Sequence, residues 1–488
     1  MKKHISKILA FTCLLTALPF AACGNNGNSV RKNNVLRVAS WDEYLDMGGD
    51  VYADDPENPD PDLTAFKEWY KDTFGITLSE KTKSLDEEFV DWYHKNYKGT
   101  ENYQPDLKME YIPMQDNETM YNKIKMGDRY DLLCPSEYMA MKLKAENLIV
   151  PYASSFFDAA AKGNYYAKNA SAYTKSIFAE AGLSEYIAGY MWGTTGFVFN
   201  PQNIGKNEDE ARNIMKRWSS LYSASTKNKI TAKDNARDSY FMGLGMFNED
   251  ELLIEKAKFD AVKQQYKDGK LDQASYQAAQ TAYKQLLSSK MNDTTEATTE
   301  KVQGYLKKMR KNVYGLETDE GKMDVATGLL DASYQWSGDA VYIINEAEFY
   351  DLELEYVIPE ATSNIWFDGW VMMDGANEEL ATAFINFLSM PQNVVRNMYY
   401  IGYTSCLKSE EIFNYIDFSY GSEDEQAVEY DLSYFFGDGH VLKVDQQQTY
   451  RQLFAQYPDE DTIDRLVVME YFQKADNDRI NRMWINIK

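Results

Sequence analysis

The stretch RVASWDEYLD, residues 37–46, sets a short apolar run directly ahead of Trp41, Asp42, Glu43 and Tyr44. Val35 to Ala39 reads as a strand, so two carboxylates and two aromatic rings sit where that strand ends. One such tetrad fits a solvated loop with a ring tucked onto the core. It also fits a cation site, because ring faces and carboxylates both attract positive charge. Repetition decides between the two. PSEY (135–138), WSGD (336–339) and WFDGW (366–370) again bring rings and acids to the ends of strand-like runs, and NARD (235–238) brings an acid. Together they predict a cleft lined by ring faces and carboxylates, since ligands of open α/β sheets bind at the carboxyl ends of strands.

The rest of the chain alternates β-rich runs with helical patterns, which predicts an α/β fold. YDLLCPS (130–136) reads as a buried strand closed by a Pro-Ser turn, and IWFDGWVMM (365–373) as an aromatic strand. SEYIAGYMWGTTGFVFN (184–200) reads as two strand-like pieces around Gly193, with DAVYIINEAEF (339–349) and LELEYVIPE (352–360) as further β-rich runs. In EELATAFINFLSMPQNVVRNMYYIG (378–402), Leu380, Phe384, Phe387 and Leu388 recur at helical spacing and belong to a core stripe. Two segments look inserted. Residues 46–105 contain the acidic, proline-rich DDPENPDPD and then two helical pieces that each carry F-x-x-W-Y. Residues 250–310 are charged and helical, with Asp268-Gly269 as a turn and MNDTTEATTE as a flexible joint; they read as a solvated hairpin that could be removed.

The length of 488 residues allows two or three domains. Lys2, Lys3 and Lys7 precede the apolar run ILAFTCLLTALPFAAC, which is too short to span a bilayer and reads as an export signal. Its end, Phe20-Ala21-Ala22-Cys23-Gly24, resembles a bacterial lipobox, apart from Phe20 in place of the usual Leu. Residues 1–22 are therefore expected to be removed, Cys23 to carry a lipid anchor, and residues 23–34 to act as a tether. Losing the three leader lysines takes the formal charge from −25 to −28, a field that repels nucleic acid and favours cationic partners. Cys134 and Cys406 are too few for a disulfide framework, and whether they pair stays open. His94 and His440 stand beside no nucleophile and no metal-spaced acid, which argues against a Ser-His-Asp hydrolase or a His-rich zinc site.

The blocks LRVASWDEYL (36–45), DNETMYNKIKMGDRYDLLCPSEYMAMKL (116–143), YMWGTTGFVFN (190–200), ITAKDNARDSYFMGLG (230–245), WSGDAVYII (336–344), WFDGWVMM (366–373) and AFINFLSMPQNVVRNMYYIGYTSCL (383–407) resemble bacterial spermidine/putrescine-binding proteins, the solute receptors of ABC importers. N-E-T-M-Y with the following Y-D-L-x-x-P-S is the specific part. The resemblance implies an α/β, two-lobed periplasmic-binding-protein fold of type II with a ligand cleft between the lobes. Residues 35–188 and 370–406 would form the first lobe, and 189–369 and 407–488 the second, with the insertions at about 46–105 and 250–310 respectively.

Carried over residue by residue, the resemblance assigns Trp41, Glu43 and Tyr44 to the first binding loop and Ser136 and Tyr138 to the second. Trp336 and Trp366 would sandwich the ligand's aliphatic chain, Asp368 would hold an amine, and Tyr403 would add a ring. Asp339 matches an acid of the putrescine-preferring branch, and Asp238 stands where spermidine binders carry Glu. Asn235 replaces an acid of the spermidine binders, which leaves the choice between diamine and triamine open. The implied partners are a polyamine and the permease subunits of an importer, with the protein a lipid-anchored monomer in the periplasm or on the outer face of the membrane. No enzymatic activity, cofactor, metal or nucleic acid is implied. The chemistry of the loops agrees, since each buried ammonium needs a carboxylate and each methylene run a ring face. A sugar receptor of the same fold, or a secreted glycosidase using paired carboxylates, are the other readings.

Overall fold

Val35–Trp41 forms the expected strand and is buried along most of its length, as befits a parallel strand covered on both faces. The structure is a computed structural model describing residues 34–55, 59–318 and 321–488. The expected leader, Cys23 and the tether up to residue 33 lie outside these residues. Val35–Trp41 pairs in parallel with Lys108–Met114 on one side and Leu132–Leu133 on the other. The sheet runs in the order Lys108–Met114, Val35–Trp41, Leu132–Leu133, Ser363–Met373, Ile187–Phe199, Ala332–Trp336, Ile230–Lys233, Gly315–Glu317. No helix of the described residues is long and apolar enough to cross a membrane.

Two long antiparallel strands at the centre of this order join the halves. Ile187–Phe199 is one continuous, fully buried strand and not the two pieces expected around Gly193. Glycine is needed there for space: a Cβ at position 193 would lie 2.5 Å from Ser337 Oγ and 2.7 Å from the Trp366 ring. The start of this strand pairs with Asp368–Val371 of Ser363–Met373, beside the first three strands. Its end, Thr195–Phe199, pairs with Ala332–Trp336 in the second half. The boundaries expected near 188/189 and 369/370 thus fall inside these two strands, and Thr404–Ser405 pairs with the middle of the first of them. In the second half Ile230–Lys233 again pairs in parallel with both neighbours, Gly315–Glu317 and Ala332–Trp336. The carboxyl ends of both parallel sets are therefore the ends that carry the acid-and-ring loops.

Two local expectations change. Ser337–Ala347 is a helix, although its Val-Tyr-Ile-Ile run has strand composition. Short apolar runs do not separate helix from strand, and this one buries Val341, Ile343, Ile344 and Ala347 in a helical setting. The stretch 378–402 is two helices, Glu378–Leu388 and Pro391–Ile401, because Pro391 has no N–H to continue the first and serves as the opening turn of the second. Cys134 and Cys406 are both buried free thiols.

The two inserted segments are built into the cores. Phe66 and Tyr70 in one helix, and Phe89 and Tyr93 in the next, are buried, so each F-x-x-W-Y motif is a docking stripe at i, i+3, i+4 spacing. Phe66 stacks on Tyr399 with ring centroids 3.8 Å apart, and Phe89 meets Phe384 edge-on at 5.1 Å. The 250–310 segment is likewise not a solvated hairpin. The turn at Asp268-Gly269 does join Ala236–Lys267 to Gln273–Met291, but Leu252, Phe259, Tyr283, Leu287 and Met291 are buried in the second core. MNDTTEATTE is not a flexible joint either, since Thr295 caps a third helix, Glu296–Arg310, whose Val302, Leu306 and Met309 face the same core. Leu287→Ala is therefore expected to cost about 2–5 kcal/mol, as core Leu truncations do, read as a lowered urea midpoint. A variant as stable as the parent would show that the hairpin adds nothing to the core.

Residues 410–457 lie mostly against the first half: Trp69 stacks with Phe418 at 5.4 Å, and Ser171 Oγ donates to the Phe435 carbonyl at 2.9 Å. The C-terminal helix Lys474–Ile485 packs into the second core through Ile480, Met483 and Trp484.

Candidate functional site

Asp368 lies in the middle of Ser363–Met373, where the pairing with Ile187–Phe199 slips by one residue. Such a bulge re-aims side chains. The carboxyl is 4 % exposed and its Oδ2 accepts two hydrogen bonds, from Trp41 Nε1 at 2.8 Å and Tyr44 Oη at 3.0 Å. The opening tetrad and the last acid of the sequence series, 327 residues apart, therefore meet directly. Tyr44 is held in turn by Tyr190, whose hydroxyl donates to the Tyr44 carbonyl at 2.8 Å. Burial pushes Asp368 up to about 6, with Ser136, Trp41 and Tyr44 holding it down from a larger rise. Its Oδ1 is shielded from solvent and has no well-aligned hydrogen-bond donor, and the Trp366 indole nitrogen is likewise buried without an acceptor.

Ser136 is the N-cap of the helix Glu137–Ala145 and is clamped by Asn117, whose amide donates to Ser136 Oγ at 3.0 Å and accepts from the Ser136 N–H at 3.1 Å. This gives the first residue of the N-E-T-M-Y block a physical role. Beside it, Glu137 is fully buried, accepts from the Phe367 N–H at 2.6 Å, and is pushed by burial up to about 8, so it is mostly protonated at neutral pH. Tyr138 donates to Glu118 at 3.2 Å and carries on its ring face the Arg237 guanidinium from the other half of the sheet, 3.5 Å from the ring centre.

Tyr403 closes one side. Its ring meets Trp366 at 5.3 Å and Tyr44 at 6.1 Å. It also presses on the first turn of Ser337–Ala347, where a Cβ at Gly338 would come within 2.4 Å of the ring. Glu43, exposed at the rim, has φ 52°, a left-handed conformation that costs a non-glycine residue about 1–2 kcal/mol. Burial first, then Glu346, push the Tyr342 hydroxyl up to about 12, with Lys322 opposing and Glu43 adding, so Glu43 acts across the cleft on the second half.

Trp336 and Asp339 form an adjacent cluster, two strands over from Trp366, with Ile187–Phe199 between. Asp339 Oδ1 pairs with Lys322 at 2.9 Å, and its Oδ2 lies 3.8 Å from Lys233 Nζ. Lys233 also sits over the Trp336 ring, 3.9 Å from its centre. Asp238 is buried in the first turn of Ala236–Lys267, where Asn235 caps the helix by accepting from the Asp238 N–H at 2.7 Å and donates its amide to the carboxylate at 2.6 Å. The structure thus gathers Trp41, Tyr44, Ser136, Trp366, Asp368 and Tyr403 around one point. Trp336 and Asp339 lie beside them with lysine partners, Asp238 with its own cap, and Tyr138 under an arginine. Sequence reasoning missed Asn117, Arg237, Lys322 and Lys233. For Lys233 the signal was present: a lysine ending a strand otherwise made of buried residues.

Residues 92–411 match the family model for bacterial extracellular solute-binding protein. The chain belongs to this family. Among solved structures, the solute-binding chain resembles the spermidine/putrescine ABC transporter substrate-binding protein PotD of Streptococcus pneumoniae, with a TM-score of 0.54 and 21 % identity over 93 % of this chain and 98 % of that one. The TpPotD lipoprotein of Treponema pallidum is similar, with a TM-score of 0.53 and 14 % identity over 93 % of this chain and 99 % of the other. These likenesses establish the fold as the two-lobed architecture of periplasmic binding proteins, and the sheet described above is its frame.

Proposed function

We propose that this solute-binding protein captures a small polyamine of the putrescine/spermidine class outside the cytoplasm and hands it to the permease of an ABC importer, with Cys23 as its lipid anchor and no catalytic step. The observation that carries the reading is Asp368: a buried carboxylate with no well-aligned donor on one oxygen, ringed by Trp41, Tyr44, Trp366 and Tyr403. An ammonium there gains a counter-charge and ring faces together, while the rings cover its methylenes. A sugar would bring hydroxyls to a charged acceptor but would leave the desolvated charge uncompensated. The two-lobed frame supplies closure, because loops from both lobes meet at this point. Calorimetric titration with putrescine, spermidine and a neutral disaccharide tests the reading. Amine binding with no heat from the sugar is expected; sugar binding without any amine response would overturn it.

The acid also sets a pH dependence. A cation binds the ionised form of Asp368, and in the free protein that form is lost as the pH falls through about 6. Affinity is therefore expected to be nearly flat just above pH 7 and to fall about tenfold for each pH unit well below 6, because binding must then expel one proton. Titrations at pH 5 and pH 7 in one buffer series check this. Equal affinity at both would mean that Asp368 is not the counter-charge.

A further inference from the structure

Lys233 ends the strand Ile230–Lys233, and its side chain is 0 % exposed. A lysine in a sheet interior needs an acceptor for each of its ammonium protons. Its Nζ donates to Gln335 Oε1 at 2.5 Å and to the Thr318 carbonyl at 2.8 Å, and faces Asp339 Oδ2 at 3.8 Å. The Trp336 ring covers it at 3.9 Å. A carboxylate, carbonyl-type oxygens and an indole face are the surroundings that a cleft must build for the ammonium of a bound amine. Here they are already filled by the chain's own amine.

We infer that Lys233 is a resident ammonium that occupies the Trp336–Asp339 end of the cleft, so that the ligand is a short diamine and not a triamine. This rests on the amine reading of the site and narrows it. With Lys233 against Asp339 and Trp336, that end of the cleft offers no further place for an ammonium, and a diamine of putrescine length takes Asp368 at one end and the acidic rim loop at the other. Trp336 then serves Lys233 with one ring face.

Lys233→Met tests this, since the methionine keeps most of the stem and removes the charge, which should free Asp339 and Trp336 for a third ligand ammonium. Wild type and variant would be titrated with butylamine, putrescine and spermidine at moderate salt, after circular dichroism has shown both to be folded. The wild type is expected to prefer putrescine to spermidine, and the variant to shift that ratio toward spermidine by threefold or more. A shift of less than threefold in a folded variant would make Lys233 a structural residue only. Spermidine binding the wild type more tightly than putrescine overturns the inference without any variant. Should Lys233→Met fail to fold, Lys233→Gln, which retains a donor to Gln335, carries the same comparison. No binding of any amine to the wild type would instead remove the proposed function itself, an outcome distinct from amine binding with an unchanged ratio.

Discussion

Asp368→Asn is expected to weaken amine binding by about 30- to 4,000-fold while making the empty protein more stable. The binding loss is the ~2–5 kcal/mol typical of removing one partner of a buried, hydrogen-bonded charge pair. The amide keeps the shape and still offers an oxygen to Trp41 and Tyr44, so the loss would isolate the charge. The gain in stability follows from the sign of the shift. The acid sits at about 6 in the folded chain against an ordinary 3.8, so the folded state holds its proton more tightly than the unfolded one. That contribution is fully present below pH ~4 and is lost as the pH rises through about 6; at pH 7 the ionised, desolvated carboxyl weighs against folding by on the order of 1–3 kcal/mol. Asparagine removes this term. Calorimetric titration and a melting curve on the same preparation at pH 7 check both halves. Undiminished binding would displace Asp368 from the site, and a lowered melting point would show that its hydrogen bonds matter more to folding than its charge.

Arg396→Met is expected to destabilise the protein by about 3–5 kcal/mol, the range for breaking a buried ion pair by removing one partner. Arg396 and Asp46 are 2 % and 0 % exposed, and Arg396 Nε donates to Asp46 Oδ2 at 2.6 Å. The guanidinium also reaches Glu88 at 3.0 Å and donates to the Lys83 carbonyl at 2.9 Å. Asp46 further accepts from Tyr52 Oη and the Gly48 N–H, both at 2.7 Å. One arginine on the helix Pro391–Ile401 thus ties down the inserted segment and the residue immediately after the Trp41–Leu45 loop. Without it, Asp46 keeps a buried charge with only neutral donors. The double variant Asp46→Leu/Arg396→Met should recover part of the loss, because an apolar pair of similar size has no charge to desolvate. Urea unfolding of the single and double variants decides. A single variant within about 1 kcal/mol of the parent would mean that Asp46 takes up a proton or is reached by water instead.

The strand-end loops were legible in the linear chain because their information is local. An apolar run with rings and acids directly behind it specifies both a strand and the chemistry of the loop at its end. Trp41, Ser136, Trp336 and Asp368 all stand in, at or beside strands of the sheet. The family blocks were legible for the same reason, and the resemblance they carry implied the two-lobed α/β fold. Everything set by a distant partner needed the tertiary structure. Val341 to Ile344 have strand composition and become helix because the layer covering the sheet, not their own preference, fixes their period. Gly193 looks like a break and is a packing notch for Trp366. The charged 250–310 segment looks solvated because its apolar residues are sparse, yet two or three buried ones per helix suffice to set one face against the second core. Acids counted along the chain left the choice between diamine and triamine open, because the charge that a cleft presents is a sum over residues brought together in space. Only the register of Ile230–Lys233 beside Ala332–Trp336 reveals that a lysine 106 residues before Asp339 has already answered part of it.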